Sequence, residues 1–287
     1  MRVLVTGAGG QFGHDFAVLC SESGDDVVAL ERAALDVGDR RAVSSAIDHH
    51  RPDVVVNAAA WTAVDACESD PARAFRDNAD SVRFLRDACD RNGSHLVQIS
   101  TDYVFDGALD RPYHERDTTN PQSVYGQSKL AGEVHAGDAA TIVRTSWLCG
   151  AAGANMVKTV LRMLATGTAM AFVTDQRGCP TFTADLSGPV RELAVRRRSG
   201  VFHVTNQRPV SWYEFVREVV GAAGGDPDAV RPILAAELDP PRPAPRPANS
   251  VLANEALQAV GIPLLRDHAE ALADLLRDLG VRYRPGV

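Results

Sequence analysis

The sequence predicts an α/β protein with a doubly wound parallel sheet, and three observations lead to that prediction. Short apolar runs alternate with longer amphipathic stretches through the first part of the chain, which is typical of repeated β-α-β units. A glycine-rich turn follows the first apolar run directly. The chain has 287 residues, 45% of them hydrophobic and 23% charged, which suits one large domain or two unequal ones.

The N-terminal half supplies strands with helices between them. Residues 3–5, a Val-Leu-Val run, predict a short buried strand, and 11–23 predict the helix that follows it. Residues 71–92 carry apolar side chains at helical spacing and end at an Asn-Gly pair, which predicts an amphipathic helix and its stop. The other elements predicted in this half are strands at 27–30, 53–57, 95–100 and 141–143 and helices at 39–50 and 123–136.

The regular alternation of predicted strands and helices ends near residue 150, and predicted helices dominate after it. Two short strands are still predicted, at 172–173 and 201–204. We therefore expect a Rossmann-like dinucleotide-binding domain over residues 1–150, with 171–205 returning to its sheet, and a smaller, mostly helical substrate lobe over 151–287. The helices predicted in that lobe are 155–165, 184–197, 211–223, 254–260 and 265–279.

Charge and composition disfavour several classes of protein. The 30 basic and 37 acidic side chains give a formal charge of -7, so nucleic acid is not an expected partner. The most apolar later stretch, 54–61, is too short to span a bilayer, and the first glycine turn comes too early for an export signal. Five cysteines without a C-x-x-C pair disfavour disulfides and zinc. We expect a cytoplasmic enzyme without a membrane partner.

The glycine-rich turn is the first candidate site. Gly7, Gly10 and Gly13 form a G-x-x-G-x-x-G pattern at the first strand-to-helix junction, with Gln11 and Phe12 inside it. A side chain at these glycines would push a pyrophosphate off the exposed N–H groups and the positive end of the helix dipole. The alternative is a turn without a ligand, but its place at the first junction favours a bound dinucleotide.

The residues after the second and third strands complete the predicted dinucleotide site. Glu31 stands near the offset at which an acid binds the adenosine ribose hydroxyls, whereas Arg32 could neutralise a 2′-phosphate. The two residues favour NAD and NADP respectively, and the choice stays open. Asp36 and Val37 are expected beneath the adenine ring. The small side chains that would let the backbone approach the dinucleotide are Ala58, Ala59 and Ala60.

The pentad Tyr-Gly-Gln-Ser-Lys at 125–129 carries the candidate chemistry. Residues four apart share one helix face, so the phenol of Tyr125 and the ammonium of Lys129 can both reach the carboxyl edge of the sheet. A fixed positive charge would lower the pKa of the phenol toward neutral pH. Thr101 follows the strand that ends at this edge. We predict a triad of Thr101, Tyr125 and Lys129, and the alternative is an exposed amphipathic pair.

These motifs resemble the extended short-chain dehydrogenase/reductase family and, within it, the dTDP-4-dehydrorhamnose reductases. The resemblance spans nearly the whole chain. The glycine turn is generic, whereas the Thr-Asp-Tyr-Val-Phe-Asp-Gly string at 101–107 and the Arg-Pro-x-x-Ser pattern at 246–250 are far more specific. The other matching stretches are 57–65, 125–133, 144–147, 175–176 and 178–181.

The resemblance implies hydride transfer from NADPH or NADH to the C4 carbonyl of dTDP-4-dehydro-6-deoxy-L-mannose, which gives dTDP-L-rhamnose for cell-wall or O-antigen polysaccharide. It implies that Tyr125 protonates the alkoxide, that Lys129 binds the nicotinamide ribose, and that Thr101 orients the carbonyl oxygen. A sugar-nucleotide dehydratase has a second carboxylate where this chain has Tyr103, so reduction is favoured over loss of water. The residues it places near the sugar or the nicotinamide are Thr62, Val64, Asp102, Tyr103 and Trp147.

Alternatives to this function stay open. One is a 4-ketoreductase for another nucleotide-activated deoxysugar, because Trp61 and Cys149 depart from the family's usual residues beside the expected pocket. Another is a non-catalytic regulatory subunit that binds a dinucleotide. Some family members bind Mg²⁺ through carboxylates, but no matching cluster can be placed in this sequence. The expected assembly is a monomer or a homodimer.

Residues 239–247 form a stiff, proline-rich segment, because proline fixes φ and removes backbone donors. A rigid connector between helices is one interpretation. The other is a rim loop that holds Arg242 or Arg246 over the substrate diphosphate, since a guanidinium suits bidentate contact with phosphate. A ligand for an SH3-like domain is disfavoured. We assign Arg246 to the substrate site.

Overall fold

A six-stranded parallel sheet forms the centre of the molecule, which the computed structural model describes over residues 1–283. The strands are β1 (Arg2–Thr6), β2 (Asp26–Leu30), β3 (Val54–Asn57), β4 (His95–Thr101), β5 (Thr141–Thr145), β6 (Leu148–Cys149), β7 (Met170–Val173), β8 (Arg177–Gly178), β9 (Thr181–Phe182), β10 (Gly200–His203), β11 (Val210–Ser211) and β12 (Val230–Ile233). The helices are α1 (Gln11–Glu22), α2 (Arg40–His50), α3 (Val64–Ser69), α4 (Pro71–Phe75), α5 (Ser81–Asn92), α6 (Val124–Ala136), α7 (Met156–Thr166), α8 (Thr183–Val195), α9 (Trp212–Ala222), α10 (Glu255–Ala259) and α11 (His268–Asp278).

The strand order of the large sheet is β10-β5-β4-β3-β1-β2. Strand β2 lies on one side of β1, and the strands from β3 onward lie on the other, so the topology switches direction between β1 and β3. In doubly wound sheets, ligands bind outside the carboxyl ends of the strands at such a point. The register places Thr6 beside Asn57, Asn57 beside Gln98, and Thr101 beside Thr145. The parallel strands and this shared edge confirm the predicted fold class.

Helices cover both faces of the sheet because side chains alternate along each strand. Val3 and Val5 are buried in one apolar cluster with Phe16 of α1 and Leu186 of α8, and these two helices pack on each other. Leu4 is buried in the opposite cluster, under the packed pair α2 and α5. Burial on both faces explains why these strands are apolar runs without polar alternation.

A separate apolar cluster lies among α7, α9 and α11 in the later part of the chain. Phe215 and Leu276 are buried in it, and the parallel pair β7 and β12 packs beside α9. Helix α9 begins with a capping box, in which Ser211 Oγ accepts from Glu214 N at 3.1 Å and Glu214 Oε2 accepts from Ser211 N at 2.7 Å. This box sets where the helix starts.

Most predicted elements are present, with small shifts at their ends. The helix predicted at 71–92 consists of α4, a π-helical turn (Arg76–Asp80) and α5. Of the segment 171–205, the strand at 200–203 returns to the large sheet beside β5, whereas β7 pairs with β12 instead. Strand β12 was not predicted, because a proline inside a Val-Arg-Pro-Ile run argues against a strand.

The five cysteines are all free and buried. Burial raises the pKa of Cys89 and of Cys149 to about 12, so these thiols stay protonated near neutral pH. In the part of the chain that the structure describes, residues 1–283, we find no helix both long and apolar enough to cross a membrane.

Candidate active site

The glycine turn closes tightly between β1 and α1. Gly7 has φ +66°, which favours glycine, and a Cβ at this position would lie 2.7 Å from the backbone N of Ala59. A Cβ on Gly13 would collide with the Gly7 carbonyl oxygen. The residue before α1 is Gly10, so no side chain of that residue covers the first N–H groups of the helix. These donors and the positive end of the helix suit a phosphate.

A cleft of about 490 Å³ lies beside this turn. Glu31 and Arg32 both line it, and the carboxyl carbon of Glu31 lies 3.2 Å from the Cβ position of Gly9. Asp77 lines it as well, although the sequence did not point to this residue. The cleft therefore brings together most of the residues predicted for the dinucleotide. The other predicted residues in its lining are Gly7, Gly10, Asp36, Val37, Ala58, Ala59 and Ala60.

Six of the residues predicted for the cofactor are not in the lining of this cleft: Gln11, Phe12, Gly13, Thr62, Tyr125 and Lys129. The Gln11 side chain turns toward the later lobe, where its Oε1 accepts hydrogen bonds from Gly150 N and Asn155 Nδ2, each at 3.0 Å. The Phe12 side chain is buried in the apolar core. Thr62 is exposed and does not line the cleft. Phe12 can therefore meet a phosphate only through its backbone N–H group, and the side-chain oxygen of Gln11 is occupied by the later lobe.

Asn57 ties three strand ends together beneath the cleft. Its Oδ1 accepts a hydrogen bond from Thr6 Oγ1 at 2.6 Å, and its Nδ2 donates to Gln98 Oε1 at 2.7 Å. All three side chains are buried. Burial of an amide costs little free energy when both its oxygen and its nitrogen are hydrogen-bonded, and such bonds hold the neighbouring side chains in place. This explains the asparagine at the end of an otherwise apolar strand.

Thr101 and Tyr125 meet at the carboxyl edge of the sheet. The Thr101 hydroxyl donates to Asp102 Oδ1 at 2.9 Å and is close enough to the Tyr125 phenol to lower the pKa of that phenol. Tyr125 lies in the first turn of α6, which begins after Ser123. This helix packs so closely that a Cβ on Gly126 would collide with the backbone of the preceding loop. The glycine in the pentad is therefore required by close packing.

Lys129 lies one helical turn beyond Tyr125 and is buried. Its Nζ donates to the Ile99 carbonyl oxygen at 2.6 Å. Burial lowers the pKa of Lys129 to about 8, and the nearby carboxylate of Glu133 raises it. Burial raises the pKa of Tyr125, and the nearby Thr101 hydroxyl lowers it. The predicted lowering of the Tyr125 pKa by Lys129 is therefore not observed, and the phenol is protonated at neutral pH.

Asp102 and Tyr103 lie in a 3-10 turn (Asp102–Val104) directly after β4. Burial raises the pKa of Asp102 to about 6, while the nearby Ser250 hydroxyl and the hydrogen bond from Thr101 lower it. The Tyr103 ring meets the Tyr125 ring edge-on, with centroids 5.5 Å apart and planes at 76°. Burial also raises the pKa of Tyr103 to about 12. Both predicted substrate residues thus stand beside the Tyr125 phenol.

Val64 and Trp147 border the same region. Val64 packs into the small apolar cluster that contains the Tyr103 and Tyr125 rings. Trp147 follows β5 and lies against Gly178, where a Cβ would be 2.6 Å from Trp147 Cε2 and 2.9 Å from Ser250 Oγ. The Ser250 hydroxyl is also close enough to the Asp102 carboxyl to lower its pKa, so Trp147 lies at the same edge of the sheet.

Arg246 is held by Asp65 of α3. Its Nη2 donates to Asp65 Oδ2 at 2.6 Å, and its Nη1 bonds Asp65 Oδ1 and donates to the Ala244 carbonyl oxygen at 2.7 Å. Ala244 N donates back to Asp65 Oδ1 at 3.1 Å. These bonds fasten the proline-rich segment to α3. The contact predicted between Arg246 and the substrate diphosphate would have to compete with this pair and stays a prediction.

Asn78 is a polar hub that the sequence did not reveal. Its Oδ1 accepts from Trp61 N at 2.7 Å, and its Nδ2 donates to the Trp61 carbonyl oxygen at 3.1 Å and to Ser128 Oγ at 2.9 Å. It therefore joins the loop after β3 to α6, the helix that carries Tyr125. Asn78 lies in the π-helical turn, and apolar spacing alone fits an unbroken α-helix just as well.

A buried ion pair behind Lys129 was also missed. Arg144 Nη2 donates to Glu133 Oε2 at 2.6 Å, and both side chains are 5% exposed. Ser100 Oγ donates to the other carboxylate oxygen. The carboxylate is therefore held by two neighbouring strands, and it is the charge that favours the protonated form of Lys129.

Within residues 1–283, no group of three or more His, Cys, Asp or Glu side chains is arranged to hold a metal ion. The magnesium considered from the resemblance therefore has no candidate ligand set in this part of the chain. Among the groups that line the cleft, the backbone N–H groups and the Arg32 guanidinium suit a phosphate-bearing nucleotide.

Comparison with known proteins agrees with this geometry. Residues 1–281 match the family model described as the RmlD substrate binding domain. The chain is 43% identical to a dTDP-4-dehydrorhamnose reductase of Streptomyces griseus, over 95% of this chain and 92% of that protein. It is 42% identical to a probable dTDP-4,6-dihydroxy-2-methyloxan-3-one 4-ketoreductase of Streptomyces antibioticus, over 99% and 98%.

A solved structure with a bound nucleotide is similar as well. The dTDP-4-dehydrorhamnose reductase of Bacillus anthracis, in complex with NADP, superposes with a TM-score of 0.92 at 32% identity. The match covers 96% of this chain and 99% of that one. By sequence over nearly its full length and by fold, this chain belongs to the dTDP-4-dehydrorhamnose reductase family.

Proposed function

We propose that this protein reduces the C4 keto group of dTDP-4-dehydro-6-deoxy-L-mannose with NADPH to give dTDP-L-rhamnose. One observation carries the proposal: the Thr101 and Tyr125 hydroxyls meet beside Lys129 at the sheet edge that also bears the glycine turn. The printed name of the Streptomyces griseus relative supports the substrate, and the NADP-bound relative supports the cofactor.

The dinucleotide would lie across the N-terminal part of the chain. We infer that residues 1–150, with β10, hold it, while the later lobe holds the sugar nucleotide. The N–H groups at Gly10 and at the start of α1 would bind the pyrophosphate. Arg32 would pair with a 2′-phosphate, and Glu31 would bind the ribose hydroxyls of NADH. The residues suit either dinucleotide, and we propose that NADPH is preferred.

The reduction needs one hydride and one proton. A reduced nicotinamide supplies the hydride to C4 when it is bound. Tyr125 donates the proton to the C4 oxygen, because burial keeps its phenol protonated at neutral pH. The Thr101 hydroxyl would turn from Asp102 to donate its single hydrogen to that oxygen and so hold it within reach of the phenol. The carbonyl carbon thus gains a hydrogen, its oxygen becomes a hydroxyl group, and the dinucleotide is oxidised.

The residues after Thr101 support reduction over elimination of water. Elimination needs an acid and a base near the sugar, and here the acid Asp102 is followed by Tyr103. Burial raises the pKa of Tyr103 to about 12, so this phenol is a poor base near neutral pH. Asp102 instead accepts a hydrogen bond from Thr101 and helps to orient it.

A second candidate substrate is another dTDP-linked 4-keto sugar. The identity to the Streptomyces antibioticus ketoreductase, 42%, is nearly as high as that to the Streptomyces griseus protein, 43%. The chemistry at C4 would be the same in both cases. A non-catalytic regulatory subunit is disfavoured, because Thr101, Tyr125 and Lys129 are all present and adjacent.

The test is a coupled assay in which purified protein receives dTDP-4-keto-6-deoxy-L-hexose generated in situ. Loss of absorbance is followed with NADPH and NADH in parallel, and the product is identified by NMR. We expect turnover, faster with NADPH, and a product with the L-rhamno configuration. Turnover only with other 4-keto sugars would support the second candidate, and no turnover with any of them would contradict both.

A further inference from the structure

Trp147 and Trp212 form a stacked pair at the border of the candidate sugar site. Their ring centroids are 3.6 Å apart and their planes differ by 7°. The two residues are 65 positions apart (212 − 147) and come from different elements: Trp147 follows β5, and Trp212 is the first residue of α9. Both rings are half-buried and pack on the apolar cluster of the later lobe.

The backbone of Trp147 is sterically disfavoured. Its φ is +47°, a left-handed value that bulky L-residues rarely adopt. Such a conformation persists where the surroundings hold it, and it is common at ligand-binding sites. It aims the indole at Gly178, where a side chain would overlap the ring. The position of Trp147 is thus set by its contacts and not by its own backbone preference.

Trp212 is held independently of Trp147. Its backbone N donates to the Gln176 carbonyl oxygen at 3.3 Å, and the capping box of Ser211 fixes the first turn of α9. Strand β11 pairs with β8 so that Val210 faces Gly178. The same short sheet therefore positions Gly178 at one side of the Trp147 ring and Trp212 against its face.

We propose that Trp212 is a positioning residue, whose indole holds Trp147 so that the opposite face of the Trp147 ring receives the apolar face of the 6-deoxyhexose. The proposal rests on the proposed function, because it assigns the Trp147 ring as the surface on which the sugar of that substrate binds. Aromatic faces suit the C–H face and the methyl group of such a sugar. Trp212 itself does not touch the reacting atoms, so it would act on substrate binding and not on the proton or hydride.

The first test is spectroscopic. Two stacked indoles couple and give a paired positive and negative band in circular dichroism. The chain has three tryptophans, and the third, Trp61, lies under the Arg73 guanidinium and outside the pair. We expect the paired band in the wild-type protein and in Trp61→Phe, and its loss in Trp212→Phe and Trp212→Leu. A wild-type spectrum that neither Trp212→Phe nor Trp212→Leu changes would overturn the proposal.

The second test is kinetic and uses the coupled assay. Trp212→Leu removes the flat ring, and we expect the KM for the sugar nucleotide to rise about tenfold, the size of one aromatic contact, with kcat within about threefold. The Kd for NADPH should not change. Trp212→Phe keeps a flat ring and should restore most of the KM, which a merely structural loss would not allow.

The outcomes separate the proposal from the function on which it rests. An unchanged KM in Trp212→Leu, with normal wild-type turnover, overturns the positioning role and leaves the reductase intact. Equal losses in kcat and in NADPH affinity would also overturn it, because they indicate general damage. A wild-type protein that reduces no dTDP-4-keto sugar overturns the proposed function and, with it, the sugar contact.

Discussion

Lys129 Nζ lies 2.6 Å from the Ile99 carbonyl oxygen, so this ammonium, one helical turn beyond Tyr125, is bonded to the sheet. The same carbonyl oxygen accepts a hydrogen bond from Gln98 Nε2 at 2.7 Å. Removal of the ammonium would therefore leave that buried oxygen with a donor. A variant at Lys129 can therefore lose the ammonium without leaving the Ile99 carbonyl oxygen unpaired. Its effects on turnover and on stability can be measured separately.

We expect Lys129→Met to raise the free energy of unfolding by about 2 kcal/mol at pH 7, because it removes a charge that burial disfavours. Burial lowers the pKa of Lys129 from 10.5 to about 8, so between these pH values the unfolded chain binds more protons than the folded one. The free energy of unfolding of the wild-type protein therefore rises with pH in this range. The excess stability of Lys129→Met over the wild type should shrink above pH 8.

Urea unfolding of both proteins between pH 7 and pH 10 measures this difference. The coupled assay should show a loss of at least about a hundredfold in turnover for Lys129→Met. A less stable variant at pH 7 would show that the hydrogen bond to Ile99 outweighs the cost of burying the charge.

Tyr125→Phe should lower kcat by about a thousandfold, because it removes the group that protonates the C4 oxygen. The Kd for NADPH should change little. Burial raises the pKa of Tyr125, so reduction should not require a high pH for the phenol to be active. Thr101→Val serves as a matched control that keeps the phenol and loses its hydroxyl partner. Near wild-type turnover in Tyr125→Phe would show that another group donates the proton.

The sequence predicted the parts of the fold that depend on local pattern. The parallel strands are continuous apolar runs, and the glycine turn needs residues without a Cβ. Both features can therefore be recognised from the residue types alone. The predicted Glu31, Arg32, Asp36 and Val37 line the same cleft as Gly7. Spacing in a helix likewise placed Tyr125 and Lys129 on one face.

The parts that were missed depend on contacts between distant residues. The bond between Asp65 and Arg246 joins residues 181 positions apart, and no local pattern reports it. The π-helical turn at Asn78 preserves the apolar spacing of an α-helix. Side-chain direction was also not predictable: Gln11 turns to the later lobe because Gly150 and Asn155 offer it hydrogen bonds.

Arg32→Ala should raise the KM for NADPH by about tenfold and leave the KM for NADH nearly unchanged, because only NADPH carries the 2′-phosphate that this guanidinium would bind. Initial rates with both cofactors measure this directly. Glu31→Gln is the matched control, since removing the neighbouring carboxylate should favour NADPH further. Parallel increases in both KM values would place Arg32 outside the phosphate site.

Glu133→Gln should lower the free energy of unfolding by about 3 kcal/mol, because it leaves the buried Arg144 without its carboxylate. Arg277→Gln is the control, because it breaks the exposed ion pair with Asp274. We expect this variant to lose about 0.5 kcal/mol or less of the free energy of unfolding. Chemical unfolding of both variants measures the contrast. Similar small losses in the two variants would mean that Arg144 finds another partner when Glu133 is neutral.

The pair formed by Arg246 and Asp65 allows its two possible roles to be distinguished. If Arg246 binds the substrate diphosphate directly, Arg246→Ala should raise the substrate KM by tenfold or more. Asp65→Ala should then leave the KM unchanged or lower it, because the guanidinium is released to the phosphate. If Arg246 acts only as the clamp of the proline-rich segment, the two single variants should raise the KM alike.

The double variant decides between these roles. For a clamp, Asp65→Ala with Arg246→Ala should be no worse than either single change, because both remove the same contact. For direct phosphate binding, the double variant should match Arg246→Ala alone and differ from Asp65→Ala. We expect the clamp, since both carboxylate oxygens of Asp65 and the Ala244 carbonyl already engage the guanidinium. In either case the Kd for NADPH should stay constant, because these residues do not line the cleft beside the glycine turn.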